Sequence, residues 1–281
     1  MKDGIAQAIA LQRQGRLADA AAACETLLAA EGERGDALHL LGVVRLQQGQ
    51  TDAAAGLLER AIRCDPHVAQ AHYHLAYAEH RRGRHEAVVA SYRRALELRP
   101  DFAEALFNLG NALRDLGRRA EALESYRRFL ALRPGVAAGH HEAANLLKEL
   151  GRWPEAVDSY RRCLELQPEM AEAHFNLGVT LRRLGRDQEA ASSYRRALDL
   201  RPDLALAHNN LGVALRALKR PEEALASFRR ALERAPALAV AHDNLGAALQ
   251  DLGRPAEALA CHREALRLRP DMAALARGPS R

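Results

Sequence analysis

Seven prolines recur at one interval along this chain: Pro66, Pro100, Pro134, Pro168, Pro202, Pro236 and Pro270 stand 34 residues apart. A constant step of this size marks an internal repeat, and a repeat limits the fold before any other feature does. Glycine keeps the step at Gly49, Gly83, Gly117, Gly151, Gly185 and Gly253, broken only by Lys219. Alanine keeps it at Ala54, Ala122, Ala156, Ala190, Ala224 and Ala258, with Val88 as the exception. A ring keeps it at Tyr92, Tyr126, Tyr160, Tyr194 and Phe228. Counting back from the prolines gives units 35–68, 69–102, 103–136, 137–170, 171–204, 205–238 and 239–272. Residues 1–34 form a degenerate unit, with Gly15 and Ala20 in phase and Gly32 where proline belongs. No linker or change of composition separates the units, so a single array over 1–272 with a tail at 273–281 is expected.

Each unit reads as a helical hairpin. In 171–204, Ala171 to Leu184 is helix-permissive, Gly185 ends that run, and Gln188 to Leu200 is permissive again until Pro202. Glycine suits the turn because it accepts a positive φ without a Cβ clash. Proline cannot continue the second helix, since it lacks an N–H and collides with the preceding turn. One such hairpin cannot bury its apolar face alone, so neighbours must stack into an all-α solenoid.

Composition narrows the function. The formal charge of +5 comes from 41 basic and 36 acidic residues, a near-balance that argues against nucleic acid as the partner. No run of 18 apolar residues exists to span a membrane, and an early acid and glutamines interrupt any secretory leader. Cys24, Cys64, Cys163 and Cys261 lie far apart without metal spacing and read as small packing residues in a reducing, cytoplasmic setting. Twelve histidines invite a metal, yet five fall once per repeat on the packing face, too far apart to share an ion. The Tyr-Arg-Arg runs, such as Tyr160-Arg161-Arg162, place their rings in the core, and i,i+4 pairs such as Arg161/Glu165 and Arg195/Asp199 should solvate the outer helices. No phosphate loop, zinc-protease or serine-hydrolase motif is present, so neither an enzyme nor a cofactor is expected.

The pattern of small and aromatic residues at unit positions 4, 7, 8, 11, 20, 24, 27 and 32 resembles the tetratricopeptide repeat. In 171–204 these are His174, Leu177, Gly178, Leu181, Ala190, Tyr194, Ala197 and Pro202. The resemblance implies a right-handed superhelix of about eight repeats whose first helices line a concave groove that takes a protein or peptide partner. Departures are few: histidine replaces the aromatic at position 4 (His72, His140, His174, His208, His242), and Phe129 and Cys163 replace alanine at position 27.

Helix geometry separates a packing face from a free one. At about 100° per residue, positions 4, 7, 8 and 11 cluster, and positions 2, 5, 6, 9, 12 and 13 cluster nearly opposite. The second set carries an asparagine ladder at position 6 (Asn108, Asn176, Asn210, Asn244), interrupted by Glu142, and a cation ladder at position 12 (Arg114, Lys148, Arg182, Arg216). Asn111 and Asn145 add amides at position 9. An amide can pair with a peptide N–H and C=O together. Packed helices about 8–10 Å apart and an extended chain rising about 3.3 Å per residue match one amide to every third peptide residue. These side chains should point away from packing, so their loss should leave stability unchanged.

The wording Ala207-His208-Asn209-Asn210-Leu211-Gly212 is similar to repeats of O-linked N-acetylglucosamine transferases and their SPINDLY-like relatives. In that family a position-6 asparagine binds target peptide backbone, which carries over to Asn108, Asn176, Asn210 and Asn244. The leading expectation is a non-enzymatic scaffold. The alternative is the substrate-selecting array of such a transferase, its catalytic domain lying elsewhere. Ala273-Ala274-Leu275-Ala276 begins another first helix, which leaves the C-terminal end open to self-association.

Overall fold

The computed structural model describes residues 2–269, and among them it contains sixteen α-helices and no strand. Pro270, the tail at 273–281 and the C-terminal end invoked for self-association lie outside the described residues. The chain divides into two compact units, Met1–Pro134 and Gly135–Arg281. The first holds α1 (Lys2–Arg13), α2 (Leu17–Glu31), α3 (Gly35–Gln47), α4 (Thr51–Cys64), α5 (Ala69–Arg81), α6 (His85–Leu98), α7 (Ala103–Asp115) and α8 (Arg119–Leu132). The second holds α9 (Ala137–Glu149), α10 (Trp153–Leu166), α11 (Ala171–Arg183), α12 (Asp187–Leu200), α13 (Ala205–Ala217), α14 (Pro221–Arg234), α15 (Ala239–Asp251) and α16 (Pro255–Leu268). Within each unit every odd-numbered helix packs on the even-numbered one that follows, and that helix packs on the next hairpin.

The turn inside a hairpin is built from backbone alone. In 171–204 the Gly185 N–H donates to the Arg182 carbonyl and the Arg186 N–H reaches back to Leu181, both at 3.0 Å. This closure needs a left-handed residue between them, and Gly185 supplies it with φ 71°. Lys219 occupies the same place at φ 61° and carries a Cβ into a region that L-residues avoid. The second helix starts without a side-chain cap on its backbone. Instead the Arg186 guanidinium grips Glu189 three residues on, at 2.7 and 2.8 Å.

Inside the hairpin, position 8 faces position 24 at very short range. A Cβ placed on Gly110 would lie 2.8 Å from the Tyr126 ring, one on Gly178 2.7 Å from Tyr194, and one on Gly212 2.6 Å from Phe228. Tyr126, Tyr160, Tyr194 and Phe228 are the largest fully buried side chains, so the glycines open the space that these rings fill. Buried Ala76 and Ala144 hold position 8 in two other units, so the fold accepts one methyl there but no more.

Neighbouring hairpins are strapped by polar contacts that the repeat wording conceals. The position-4 histidines donate from Nε2 to the carbonyl of the preceding proline: His72 to Pro66 at 3.1 Å, His174 to Pro168 at 2.9 Å, His208 to Pro202 at 3.0 Å and His242 to Pro236 at 2.9 Å. A carbonyl only accepts, so the proton sits on Nε2. On the second helices, arginine crosses to the acid of the next repeat: Arg93 to Glu121 at 2.5 Å, Arg161 to Glu189 at 2.8 Å and Arg195 to Glu223 at 3.6 Å. These replace the expected i,i+4 pairs, because the next helix presents its carboxylate closer than the following turn does. At such exposed sites solvent screens each pair, so it fixes register more than it adds stability. Glu79 stands buried at position 11, where most units carry leucine, and Arg82 meets it at 2.9 Å. Cys24 and Cys163 pack in the core, whereas Cys64 is exposed and Cys261 half-buried, so the packing role expected of all four holds for two.

Gly178→Leu should lower stability by roughly 1–3 kcal/mol or more through overpacking against Tyr194, and Gly178→Ala by much less. Urea denaturation separates the two, and equal midpoints would show that the contact is slack. Lys219→Gly removes the left-handed strain of about 1–2 kcal/mol and adds part of that back as chain entropy, so it should stabilise by roughly 0.5–1 kcal/mol. A lower melting temperature would contradict the assignment of strain.

Candidate peptide-binding face

The first helices carry the ladders, and all ten expected site residues are half-buried on them. In the first unit, Asn108 on α7 donates from Nδ2 to the Tyr73 hydroxyl on α5 at 3.1 Å. Asn111 accepts from the Tyr126 hydroxyl at 2.6 Å, and Arg114 lies 3.2 Å from Asp115. One repeat earlier the same 35-residue offset joins His39 Nε2 and His74 Nδ1 at 2.7 Å, a pair held by a single proton.

The second unit brings the remaining residues into three groups. Asn145 Oδ1 accepts from the Tyr160 hydroxyl at 2.5 Å and from Asn176 Nδ2 at 3.4 Å, while Lys148 Nζ donates to Asn176 Oδ1 at 3.1 Å. Burial pulls the Lys148 ammonium below its usual pKa. Asn244 Nδ2 donates to Asn209 Oδ1 at 2.9 Å, and Asn209 Nδ2 to Asn210 Oδ1 at 3.2 Å, so three amides form a relay across α13 and α15. Arg182, Arg183 and Asn210 line a cavity of about 430 Å³ with Val179 and Tyr194. Arg216 lies outside that cavity, paired with Asp251 at 2.5 Å.

The face is therefore less idle than its sequence implies. Asn108, Asn176 and Asn244 each bond to a neighbouring repeat, so their replacement costs stability as well as any binding. Position 5 also differs from expectation. Tyr73 packs 4.8 Å from Phe102, Phe107 packs 5.1 Å from Phe129 and Phe175 packs 5.9 Å from Tyr194, ring centre to ring centre. Asn209 is 4% exposed, which makes it a buried link in the relay and not a groove-lining residue. Position 5 sits at the border of the two clusters, where a ring leans into the hairpin core. A signal for the strapping was present in the sequence, since a hydrogen-bonding residue at position 5 precedes one at position 6 of the next unit in His39/His74, Tyr73/Asn108 and Asn209/Asn244.

Among the described residues no three His, Cys, Asp or Glu side chains gather as a metal site, and no helix is long and apolar enough to cross a membrane. Tetratricopeptide-repeat profiles match residues 5–69, 41–87 and 141–205, another matches 203–271, a TPR-repeat profile matches 76–117, and a further one 103–136. The chain belongs to the tetratricopeptide-repeat family. Solved structures share the fold. The C-terminal part of a TPR repeat-containing protein from Cytophaga hutchinsonii aligns over 86% of this chain and 99% of its own, with TM-score 0.70 and 14% identity. YrrB, described as a TPR protein with an unusual peptide-binding site, aligns over 66% of this chain and 95% of its own, with TM-score 0.59 and 26% identity. MamA aligns over 60% and 92%, with TM-score 0.58 and 22% identity. A search of curated proteins gave no match.

The histidine pair gives the first unit a pH dependence. Burial, with neighbouring His39, depresses His74 to about 4, and burial depresses His39 as well. The unfolded chain then binds more protons than the folded one between about pH 6.5 and 4, so stability is full above that window and falls as pH drops through it. His74 alone should remove about 2 kcal/mol between pH 7.5 and 5. Urea midpoints at the two values test this. A His39→Gln/His74→Gln protein should lose that part of the slope, and an unchanged slope would assign it to other groups.

Proposed function

We propose that this chain is a non-enzymatic protein-interaction scaffold that holds an extended peptide segment across its first-helix face. The observation that carries the reading is the amide ladder on α11, α13 and α15: Asn176, Asn210 and Asn244 stand one per repeat, half-buried and on a common face. Two of them are oriented by bonds to the adjacent repeat, Asn176 to Asn145 and Asn244 to Asn209, which fixes their rotamers before a ligand arrives. Preorganised amides bind peptide backbone with less ordering cost than mobile ones. A Nδ2–H that already donates leaves its geminal N–H for a peptide carbonyl. YrrB, which shares the fold at 26% identity, is described as having a peptide-binding site of its own.

Backbone recognition makes the site tolerant of ligand side chains, which suits a scaffold in a cytoplasmic setting. A second reading, the substrate-selecting array of a glycosyltransferase similar to the O-linked N-acetylglucosamine enzymes, rests on the same position-6 asparagines. Both readings use this face, and they part on whether a bound peptide is handed to a transferase.

The test is a nonapeptide selected from a random library on the wild-type chain. Asn176→Ala/Asn210→Ala/Asn244→Ala should weaken it by about 1.5–4.5 kcal/mol, tenfold to thousandfold, in a titration at a temperature where circular dichroism shows both proteins folded. Its unfolding free energy should also drop, by about 1.5–4.5 kcal/mol for the three inter-repeat bonds lost. N-methylating the peptide's backbone amides should harm binding more than scrambling its side chains. Equal affinity in the triple variant would move the binding surface elsewhere.

A further inference from the structure

The cavity beside Arg182 arises from a break in the repeat. In units 103–136 and 137–170 the buried tyrosine hydroxyl donates to an asparagine at position 9 of its own first helix: Tyr126 to Asn111 at 2.6 Å and Tyr160 to Asn145 at 2.5 Å. In 171–204 position 9 is Val179, which has no acceptor. The Tyr194 ring has no amide over it from its own first helix, and Asn210 of the next repeat and Arg182 share one cavity with it. Val179, Arg182, Arg183, Tyr194 and Asn210 then surround about 430 Å³ of open space with a largely polar wall. The corresponding unit 205–238 has Val213 opposite Phe228, where ring and wall are both apolar.

The donors around this space are not all satisfied. Arg182 Nε is shielded from solvent and has no hydrogen-bond partner, so the part of the guanidinium that the cavity exposes is its outer edge. Asp187 is the acid nearest to it, at 3.8 Å, which is beyond hydrogen-bond length. A buried N–H left unpaired is costly, and a charged one more so. The other position-12 cations of this unit are engaged, Lys148 by Asn176 and Arg216 by Asp251. Asn210 receives one bond at Oδ1 from Asn209, and its Nδ2–H groups face the cavity it lines as donors for a ligand. A guanidinium edge, an amide N–H and the N–H and O–H groups around them form a donor-rich recess, and a planar carboxylate is the acceptor that matches an arginine fork.

We propose that the recess between α11, α12 and α13 seats a glutamate or aspartate side chain of the peptide held by the asparagine face. This inference rests on the groove reading for the peptide, but the recess itself can be read separately. Arg182 and Asn210 make the direct contacts, Arg183 adds charge at the mouth, and Val179 keeps the floor free of a competing amide.

Two measurements on the full chain decide it. In the first, protein labelled with ¹⁵N-arginine is titrated at constant ionic strength with N-acetyl-glutamate amide or with N-acetyl-glutamine amide. The Arg182 Nε–H resonance should shift and saturate with the glutamate probe only. No response at Arg182, or an equal response to both probes, overturns the recess. These single-residue probes do not span the ladder, so this arm stands whether or not the groove reading does. In the second, nonapeptide libraries with Glu or Gln fixed at the centre are bound to variants. Wild type should prefer the Glu library about tenfold, as one charge-assisted pair supplies. Arg182→Gln should abolish the preference, and Arg195→Gln, the same charge change on the second-helix side, should keep it. A preference that survives Arg182→Gln, or falls equally in Arg195→Gln, overturns the proposal. Asn176→Ala/Asn244→Ala should weaken both libraries and leave their ratio. If Arg182 responds to the glutamate probe while wild type binds neither library, the peptide reading fails and with it the assignment of the carboxylate to a peptide.

Discussion

The approach of the two helices within each hairpin governs everything built upon them. A ring at position 24 lies where a side chain at position 8 would otherwise be, as with Tyr194 over Gly178 and Phe228 over Gly212. Burying a ring of this size is among the largest single stabilising contributions available to a repeat of 34 residues. It also brings the tyrosine hydroxyl through to the far side of the first helix, where it emerges among the polar residues of the ladder. The packing contact and the polar first-helix face are thus two ends of one side chain. A repeat with a residue larger than alanine at position 8 would push the ring out and lose both.

Stacking of one hairpin on the next uses a different chemistry. The apolar interface is made largely of alanine and leucine, which pack well but specify register weakly. Register comes from contacts that join fixed positions: histidine at position 4 to the proline carbonyl before it, arginine at position 25 to the acid at position 19 of the next unit, and position 5 to position 6 across the first helices. The histidine strap explains why the proline is worth keeping at a constant step. Its ring ends the helix, and its carbonyl, freed from helical bonding, becomes the acceptor for the next repeat. Burial pulls the His174 and His208 imidazoles below their usual pKa, which favours the neutral form in these straps.

The helical boundaries were readable to within a residue or two, because Gly185 and Pro202 each enforce a local geometry with a single cause. The close contact at Gly178 was readable too, since a glycine conserved in phase within a helix has few other uses. The straps were not. Nothing local at His174 says that its partner is a carbonyl six residues earlier, and the pair Asn209/Asn244 spans 35 residues. Side-chain contacts between repeats depend on the offset between stacked helices, a quantity that no single unit encodes. The ladder residues share a helix face that the spacing alone defines, yet their mutual bonds, and so their part in stability, required the packed structure. Val179 shows the same limit: as a sequence change it looks conservative for a helix, and only the missing acceptor for Tyr194 gives it meaning.

Departures from the repeat matter more for recognition than the repeat itself. An array of equivalent amides offers a peptide several nearly equivalent seats. Advancing the ligand by one helix spacing, about three residues of extended chain, exchanges one set of backbone contacts for another. Shifting along Asn176, Asn210 and Asn244 forfeits one amide, about 0.5–1.5 kcal/mol, which by itself is a weak lock on register. On the proposal that the cavity beside Arg182 seats a carboxylate, that seat breaks this degeneracy, because only one register would bring a matching side chain to it. Position 9 is where the second unit varies, as Asn145, Val179, Val213 and Ala247 in turn. The residue there decides whether the ring beneath it is bonded to an amide, as with Tyr126 and Tyr160, or borders an open cavity, as with Tyr194. In a solenoid, affinity can accumulate from what the units share, but the alignment of a ligand has to come from where they differ.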